Sequence, residues 1–200
     1  MGAVLVAAAT AATPTLTLAA SSPAVAYGKT VTMTGTLSTQ KANQQITIQA
    51  LACGTTKTTN AARVKTAANG AYTATVTPTI NTAYQATQKA TKSNSVSVSV
   101  KPVVGIKRLK RGSFTATLVA GADFKGKVLL LQRYAKVRKR WVQVKKVTLT
   151  KSSAGTPKPT IISTASFKAK VAKGTRVRLV LTKAHAAPCY AAANSNVVRN

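Results

Sequence analysis

Acidic side chains are almost missing from this 200-residue chain: Asp and Glu together number 1 against 30 Lys and Arg, a formal net charge of +29. The shortage excludes chemistry built on several carboxylates. A glycosidase uses a pair of them, and a calcium or two-metal site needs more, whereas Asp123 stands alone. His185 is likewise the sole histidine, so a Ser-His-Asp triad would have to use these two single copies, with no nucleophile-elbow motif around any serine. Aromatics make up 4% of the chain, with no RNP-like or zinc-finger spacing, which excludes a sequence-reading nucleic-acid module. No stretch approaches the roughly 18 consecutive apolar residues of a membrane helix.

Cysteine is scarce too. His185 and Cys189 share the segment His185-Ala186-Ala187-Pro188-Cys189, but Pro188 prevents a regular helix there and Cys53 is the only other soft ligand, so zinc would lack its four. Asp123, in Gly121-Ala122-Asp123-Phe124-Lys125-Gly126, reads as a turn residue bonding its own backbone. The inventory predicts a non-enzymatic protein without cofactor or metal.

What is present is a series of short alternating runs rich in Thr, Val and Ser. Ser95 to Val100 alternates Ser with Val, the period-2 pattern of a half-buried strand, and Pro102 ends it because proline has no N–H to donate. Charge changes at the same point: seven Lys or Arg precede Lys101, and 23 lie from Lys101 onward. These features divide the chain into a domain over residues 14–101 and a strongly basic one over 102–200, each of a size that buries a modest core. Residues 1–13 are a short apolar segment that fits the end of a secretory signal peptide lacking its basic start, or an apolar arm.

In the first domain, strands are predicted at Thr15 to Ala19, Thr30 to Leu37, Gln45 to Ala50, Arg63 to Thr66, Ala71 to Thr77, Ala83 to Gln88 and Asn94 to Val100. Asn69-Gly70 provides a strong turn. Ala61 to Ala68 lacks a helical apolar stripe and reads as strand or loop. In the second, strands are expected at Ser113 to Val119, Lys127 to Tyr134, Trp141 to Leu149, Ile161 to Val171 and Thr175 to Leu181. The last two form a hairpin around Lys173-Gly174, and Ser152 to Pro159 is a loop. Phe114, Tyr134 and Trp141 are read as packing residues, with Trp141 in the core. A weak internal repeat aligns Thr30 to Leu37 plus Ile46 to Gln49 with Ser113 to Leu118 plus Leu129 to Gln132. The fold class is all-β: two consecutive antiparallel immunoglobulin-like β-sandwiches after the apolar segment.

Several marks carry a family resemblance. Tyr27-Gly28-Lys29-Thr30-Val31-Thr32, Asn69-Gly70-Ala71-Tyr72, Pro78, Thr82-Ala83-Tyr84 and Ser95 to Val98 lie in the first half. Phe124-Lys125-Gly126-Lys127-Val128, Gln132, Trp141-Val142, Tyr190 and Ser195 lie in the second. Over residues 14–199 the chain resembles the tandem Ig-like, fibronectin-III-like repeats of actinobacterial secreted or cell-surface proteins. The resemblance implies β-sandwiches, export, and service as spacer or adhesive modules, with no catalytic residues. The sequence departs from that pattern in its missing acids, in Cys189 beside Tyr190, and in a turn from Ala135 to Arg140 without glycine.

With so few carboxylates, the cations must be solvated or meet external anions. Two clusters stand out: Lys107, Arg108, Lys110 and Arg111 preceding a strand, and Lys136, Arg138, Lys139 and Arg140 in a hairpin turn, with Lys145 and Lys146 just beyond. They are the predicted anion-binding residues. The partner expected is an anionic polymer or surface: teichoic acid, acidic polysaccharide, nucleic acid or anionic lipid. The alternative is an intracellular, sequence-nonspecific nucleic-acid-binding protein. Cys53 and Cys189 fall one in each domain. Because Pro102 leaves almost no linker, a stiff end-to-end pair is expected, which disfavours a bridge within one chain. One small buried thiol per domain, or an intermolecular bridge through Cys189, are the other readings.

Overall fold

The computed structural model of the protein describes residues 13–200. The apolar segment read as a signal remnant lies outside the described residues except for Thr13. Eight strands occupy the N-terminal half: β1 (Ala19–Ala20), β2 (Ala24–Ala26), β3 (Val31–Thr36), β4 (Gln45–Ala52), β5 (Thr59–Lys65), β6 (Ala71–Val76), β7 (Thr82–Gln88) and β8 (Thr91–Lys101). The C-terminal half holds β9 (Val103–Lys110), β10 (Ser113–Ala120), β11 (Val128–Ala135), β12 (Arg140–Thr148), β13 (Lys151–Ala154), β14 (Ile161–Lys168) and β15 (Arg176–Leu181). A single helical turn, α1 (Lys183–Ala186), then precedes β16 (Ala193–Asn194) and β17 (Val198–Arg199).

The protein is all-β, with sheets packed face to face that are antiparallel except for the short parallel pair β2–β8. In the N-terminal half the sheet β1-β3-β6 faces β2-β8-β7-β4-β5, and the alternation of the sequence decides what lies between them. Val31 and Met33 from one sheet meet Ile46, Ile48, Tyr84 and Val98 from the other. In the C-terminal half β13-β14-β10-β9 faces β12-β11-β15, which carries β16 and β17 along its far edge. There Phe114, Ala116 and Leu118 pack against Leu129, Leu131, Val177 and Leu179. Every second residue of β10 is buried. Each large side chain removed from water in this way contributes about 1.5–3 kcal/mol.

One local device recurs in both halves. Ser93 Oγ accepts the Ala86 N–H and donates to the Asn94 carbonyl, while the Asn94 side chain accepts from Leu18 N (3.0 Å) and donates to Leu18 O (2.9 Å). Ser195 and Asn196 repeat every step: Oγ accepts the Leu179 N–H, and the Asn196 amide pairs with Ile106 N (3.0 Å) and O (3.1 Å). In both places a side-chain amide imitates a strand and ties the opening segment of its half to the closing one. The correspondence of β3 and β4 with β10 and β11 in the sheets of the two halves agrees with the repeat read from the sequence.

The junction differs from the expectation of a stiff pair without a bridge. β8 ends at Lys101 and β9 starts at Val103, yet Cys53 and Cys189 are joined in a disulfide, with their Cα atoms 5.4 Å apart. The halves need not fold back on each other, because the segment after α1 returns from the C-terminal half to the junction. Asn81 is the hub there. Its N–H donates to Cys189 O (3.0 Å), its carbonyl accepts from Cys53 N (2.8 Å), and its Oδ1 accepts from Val100 N (2.7 Å). Tyr190 packs edge-on against Phe124 and donates its hydroxyl to Thr79 O (3.1 Å). Burial there pushes the Tyr190 hydroxyl up to about 12. Gly121 fits beneath this contact because a Cβ would come within 2.9 Å of the Thr79 carbonyl oxygen.

Lys107 to Arg111 precede a strand, β10, as expected, and Lys107 to Lys110 themselves belong to another, β9, paired with it. Two other expectations change. Part of the expected Ser152 to Pro159 loop belongs to β13, an exposed edge strand on β14. The segments flanking Lys173-Gly174 are not a hairpin, because β14 pairs with β10 and β15 pairs with β11 in the opposite sheet. Each of the two carries an apolar face, so the sandwich gains more by using one strand per layer, and Asn200 holds the crossing through bonds to Gly112 N and Val171 O.

Asn94→Ala and Asn196→Ala each remove a two-bond clip over a core residue. Each is expected to cost about 1–3 kcal/mol, read as a lower urea midpoint at unchanged slope. The disulfide closes a sequence separation of 136 residues, for which chain entropy gives a stabilisation of up to about 5 kcal/mol. Thermal melts with and without reductant are expected to show that loss. An identical melt would mean that the bridge constrains nothing.

Candidate anion-binding face

The β11–β12 hairpin places its side chains by simple alternation. Leu129 and Leu131 point into the core, and Gln132 and Tyr134 therefore point outward. Tyr134 pairs directly with Trp141, and Gln132 with Gln143. On the neighbouring β15, Val177, Leu179 and Leu181 face the core and Arg176 and Arg178 face out. The register sets Arg178 opposite Gln132, and β17 sets Arg199 opposite Arg176.

The outer face is thus a lattice of arginines on aromatic rings. The Arg176 guanidinium carbon lies 4.2 Å from the centre of the Tyr134 ring, and that of Arg178 lies 4.3 Å from Trp141. Arg178 Nε also donates to Gln132 Oε1 at 3.0 Å. The rings themselves meet edge to face, 5.5 Å between centres. Trp141 is consequently a half-buried surface residue and not the core residue expected: it pairs with the outward-facing Tyr134, and a bulge in the β11–β12 ladder separates it from the buried Val147, whose parity along β12 it shares.

Beside this lattice runs an open groove of about 610 Å3, in which Arg133, Lys136, Lys173, Arg176 and Arg199 surround Tyr134. Five cations converge there without a neutralising side chain, since the chain's sole side-chain carboxylate is that of Asp123. Like charges directly opposite on paired strands, as at Arg176 and Arg199, repel.

The predicted hairpin cluster borders the groove through Lys136. Its turn has no glycine, and Lys139 takes the left-handed conformation, φ 48°. Lys136, Arg138, Lys139 and Arg140 are all exposed. Lys146 pairs with Leu130 on β11, past a bulge in the ladder. Lys145 turns away, and its Nζ donates to the Lys168 carbonyl at 3.0 Å.

The other predicted cluster belongs to a different sheet. Lys107, Arg108 and Lys110 sit on β9, and Arg111 lines a separate open groove of about 870 Å3 with Lys168 and Lys170. Arg133, Lys173, Arg176, Arg178 and Arg199 escaped the sequence reading. The Arg176-Val177-Arg178 alternation does put two arginines on one outer face, but the strand beside them is set by pairing across 46 residues.

Asp123 is a turn residue, as expected. Its Oδ1 accepts from Ser152 Oγ (2.5 Å), Lys125 N (2.7 Å) and Ser163 Oγ (3.4 Å). These bonds, chiefly that from Ser152, hold its carboxyl below the usual carboxylate range. It shares a shallow cleft of about 270 Å3 with His185. No group of three or more His, Cys, Asp or Glu able to hold a metal occurs among the described residues, and no helix there is long and apolar enough to cross a membrane. No protein-family model matches the chain, and comparison with curated proteins gives no match. The face is therefore interpreted through its own chemistry.

Trp141 is the chain's single tryptophan, so its fluorescence reports on this face alone. Arg178→Ala uncovers the indole, and a red-shifted emission maximum is expected with a stability loss of about 0.5–1 kcal/mol. An unchanged spectrum would show that the stacking does not persist in solution.

Proposed function

We propose that this chain is a non-enzymatic, exported module: two consecutive Ig-like β-sandwiches, residues 14–101 and 102–200, acting as a spacer or adhesive pair whose second half binds anionic polymers electrostatically. The observation that carries this reading is the groove and lattice on the outer face of β12-β11-β15-β17, where unneutralised cations converge. The second half carries 23 cations less Asp123, or +22, against +7 for the first. The Ig-like assignment is supported by the sheet arrangement, in which the first, second and fifth principal strands of each half face the third, fourth and later ones. Export is supported by the disulfide, since such bridges persist in oxidising compartments. That bond weighs against the intracellular alternative.

Binding works by displacing condensed counterions from the polymer, so affinity falls steeply with salt. The intact protein is expected to elute from a polyanion resin at high ionic strength. Changing Lys136, Arg138, Lys139 and Arg140 together to alanine is expected to flatten the dependence of log affinity on log salt, by up to about one unit per lost contact. Retention insensitive to salt, or unaltered in the variant, sinks the assignment.

A further inference from the structure

The arrangement of Arg176 and Arg178 goes further than net charge. A guanidinium is planar and carries its donors in that plane. Laid against an aromatic ring it uses a face for stacking, and its N–H fork stays free to meet an oxyanion at the edge. Arg178 is fixed twice, by Trp141 and by Gln132 through Nε, which leaves its two terminal amino groups for a ligand. Arg176 is fixed by Tyr134, and Arg199 stands opposite it across β17. A diffuse positive surface would need none of this ordering.

Spacing narrows the ligand. Arg176 and Arg178 lie two residues apart on one face of a strand, so their backbones are about 7 Å apart. A chain whose charged groups are separated by six backbone bonds spans about the same distance when extended, because three such bonds of a peptide span roughly 3.3–3.6 Å. Phosphodiesters joined through three-carbon units have this repeat. Nucleic acids share it but add bases, for which a binding face ordinarily offers aromatic platforms. Here the two rings are engaged in holding guanidinium groups and each other.

The geometry points to an extended, base-free phosphodiester polymer of the polyol-phosphate class as the ligand, with successive phosphates seated in the forks of Arg178 and Arg176 and the strand continuing into the groove by Arg199. This rests on the proposed electrostatic binding and names its ligand and its contacts. Gln132, Tyr134 and Trp141 act as positioning residues for the two forks.

The test uses the full, oxidised chain, titrated with poly(glycerol phosphate), oligo-dT and polygalacturonate of equal total charge. Binding is followed by calorimetry and by Trp141 emission at several salt concentrations. The expected order places poly(glycerol phosphate) tightest. The double change Arg176→Lys and Arg178→Lys keeps every charge, and it is expected to weaken that complex at least tenfold while leaving the salt slope unchanged. Gln132→Leu, which frees Arg178 Nε without touching a charge, is expected to weaken it about threefold. Melting temperatures of all variants exclude a folding artefact. If the lysine variant binds like the parent while the neutralised hairpin does not, the forks are irrelevant and only diffuse electrostatics survives. Tighter oligo-dT binding with quenched Trp141 emission makes nucleic acid the ligand and overturns the inference. Equal affinity for polygalacturonate overturns the choice of phosphodiester. If no polymer binds, the electrostatic reading falls as well.

Discussion

Thirty cations and one carboxylate impose the constraint on which the remaining structure depends: hardly any polar requirement can be met by an ion pair. Hydroxyls and amides take over. Ser93 with Asn94 and Ser195 with Asn196 clip each sandwich closed. Thr66 donates to Lys41 O and accepts from Gln44 N, and Asn81 serves both halves at the junction. Among the described residues no buried side-chain nitrogen or oxygen lacks a partner. Neutral bonds of this kind are short-ranged and unscreened by salt, so the interior does not depend on the charges outside it.

The cations are left to the surface, where they repel each other unless something offsets them. Part of the offset is aromatic: two arginines lie against the faces of Tyr134 and Trp141, where the ring quadrupole attracts positive charge. Among the described residues no such stacking serves Arg133, Lys136, Lys173 and Arg199 in the adjoining groove. The proposed polyanion supplies the missing negative charge, and rigid strands rather than loops hold the arginines that meet it. The Lys136 to Arg140 turn is more exposed and suits initial capture.

The junction couples the two halves more tightly than the single connecting residue Pro102 alone. Backbone bonds through Asn81, the Tyr190 contact to Thr79, packing of Tyr27 and Ile80 against the C-terminal core, and the disulfide act over the same small area. The proposed spacer role requires such a joint to be stiff. Because the bridge attaches the segment following α1, it also fixes the connection that leads into β16 and β17, and hence Arg199 on the proposed binding face.

Local pattern in the sequence was enough to identify an all-β chain, to make Phe114 a packing residue and Asp123 a turn residue, and to mark the Lys136 to Arg140 tip. Each of these depends on neighbours within a few residues. Charge imbalance, a sum over the chain, was equally legible. The pairing of β15 with β11 instead of β14, the outward placement of Trp141, the stacking of Arg178 upon it and the Cys53–Cys189 bridge were not. They depend on which strand lies beside which and in what register, and those choices are settled by packing two apolar faces across dozens of residues. Period-2 patterning says that a residue faces out, and only the tertiary structure decides what it faces.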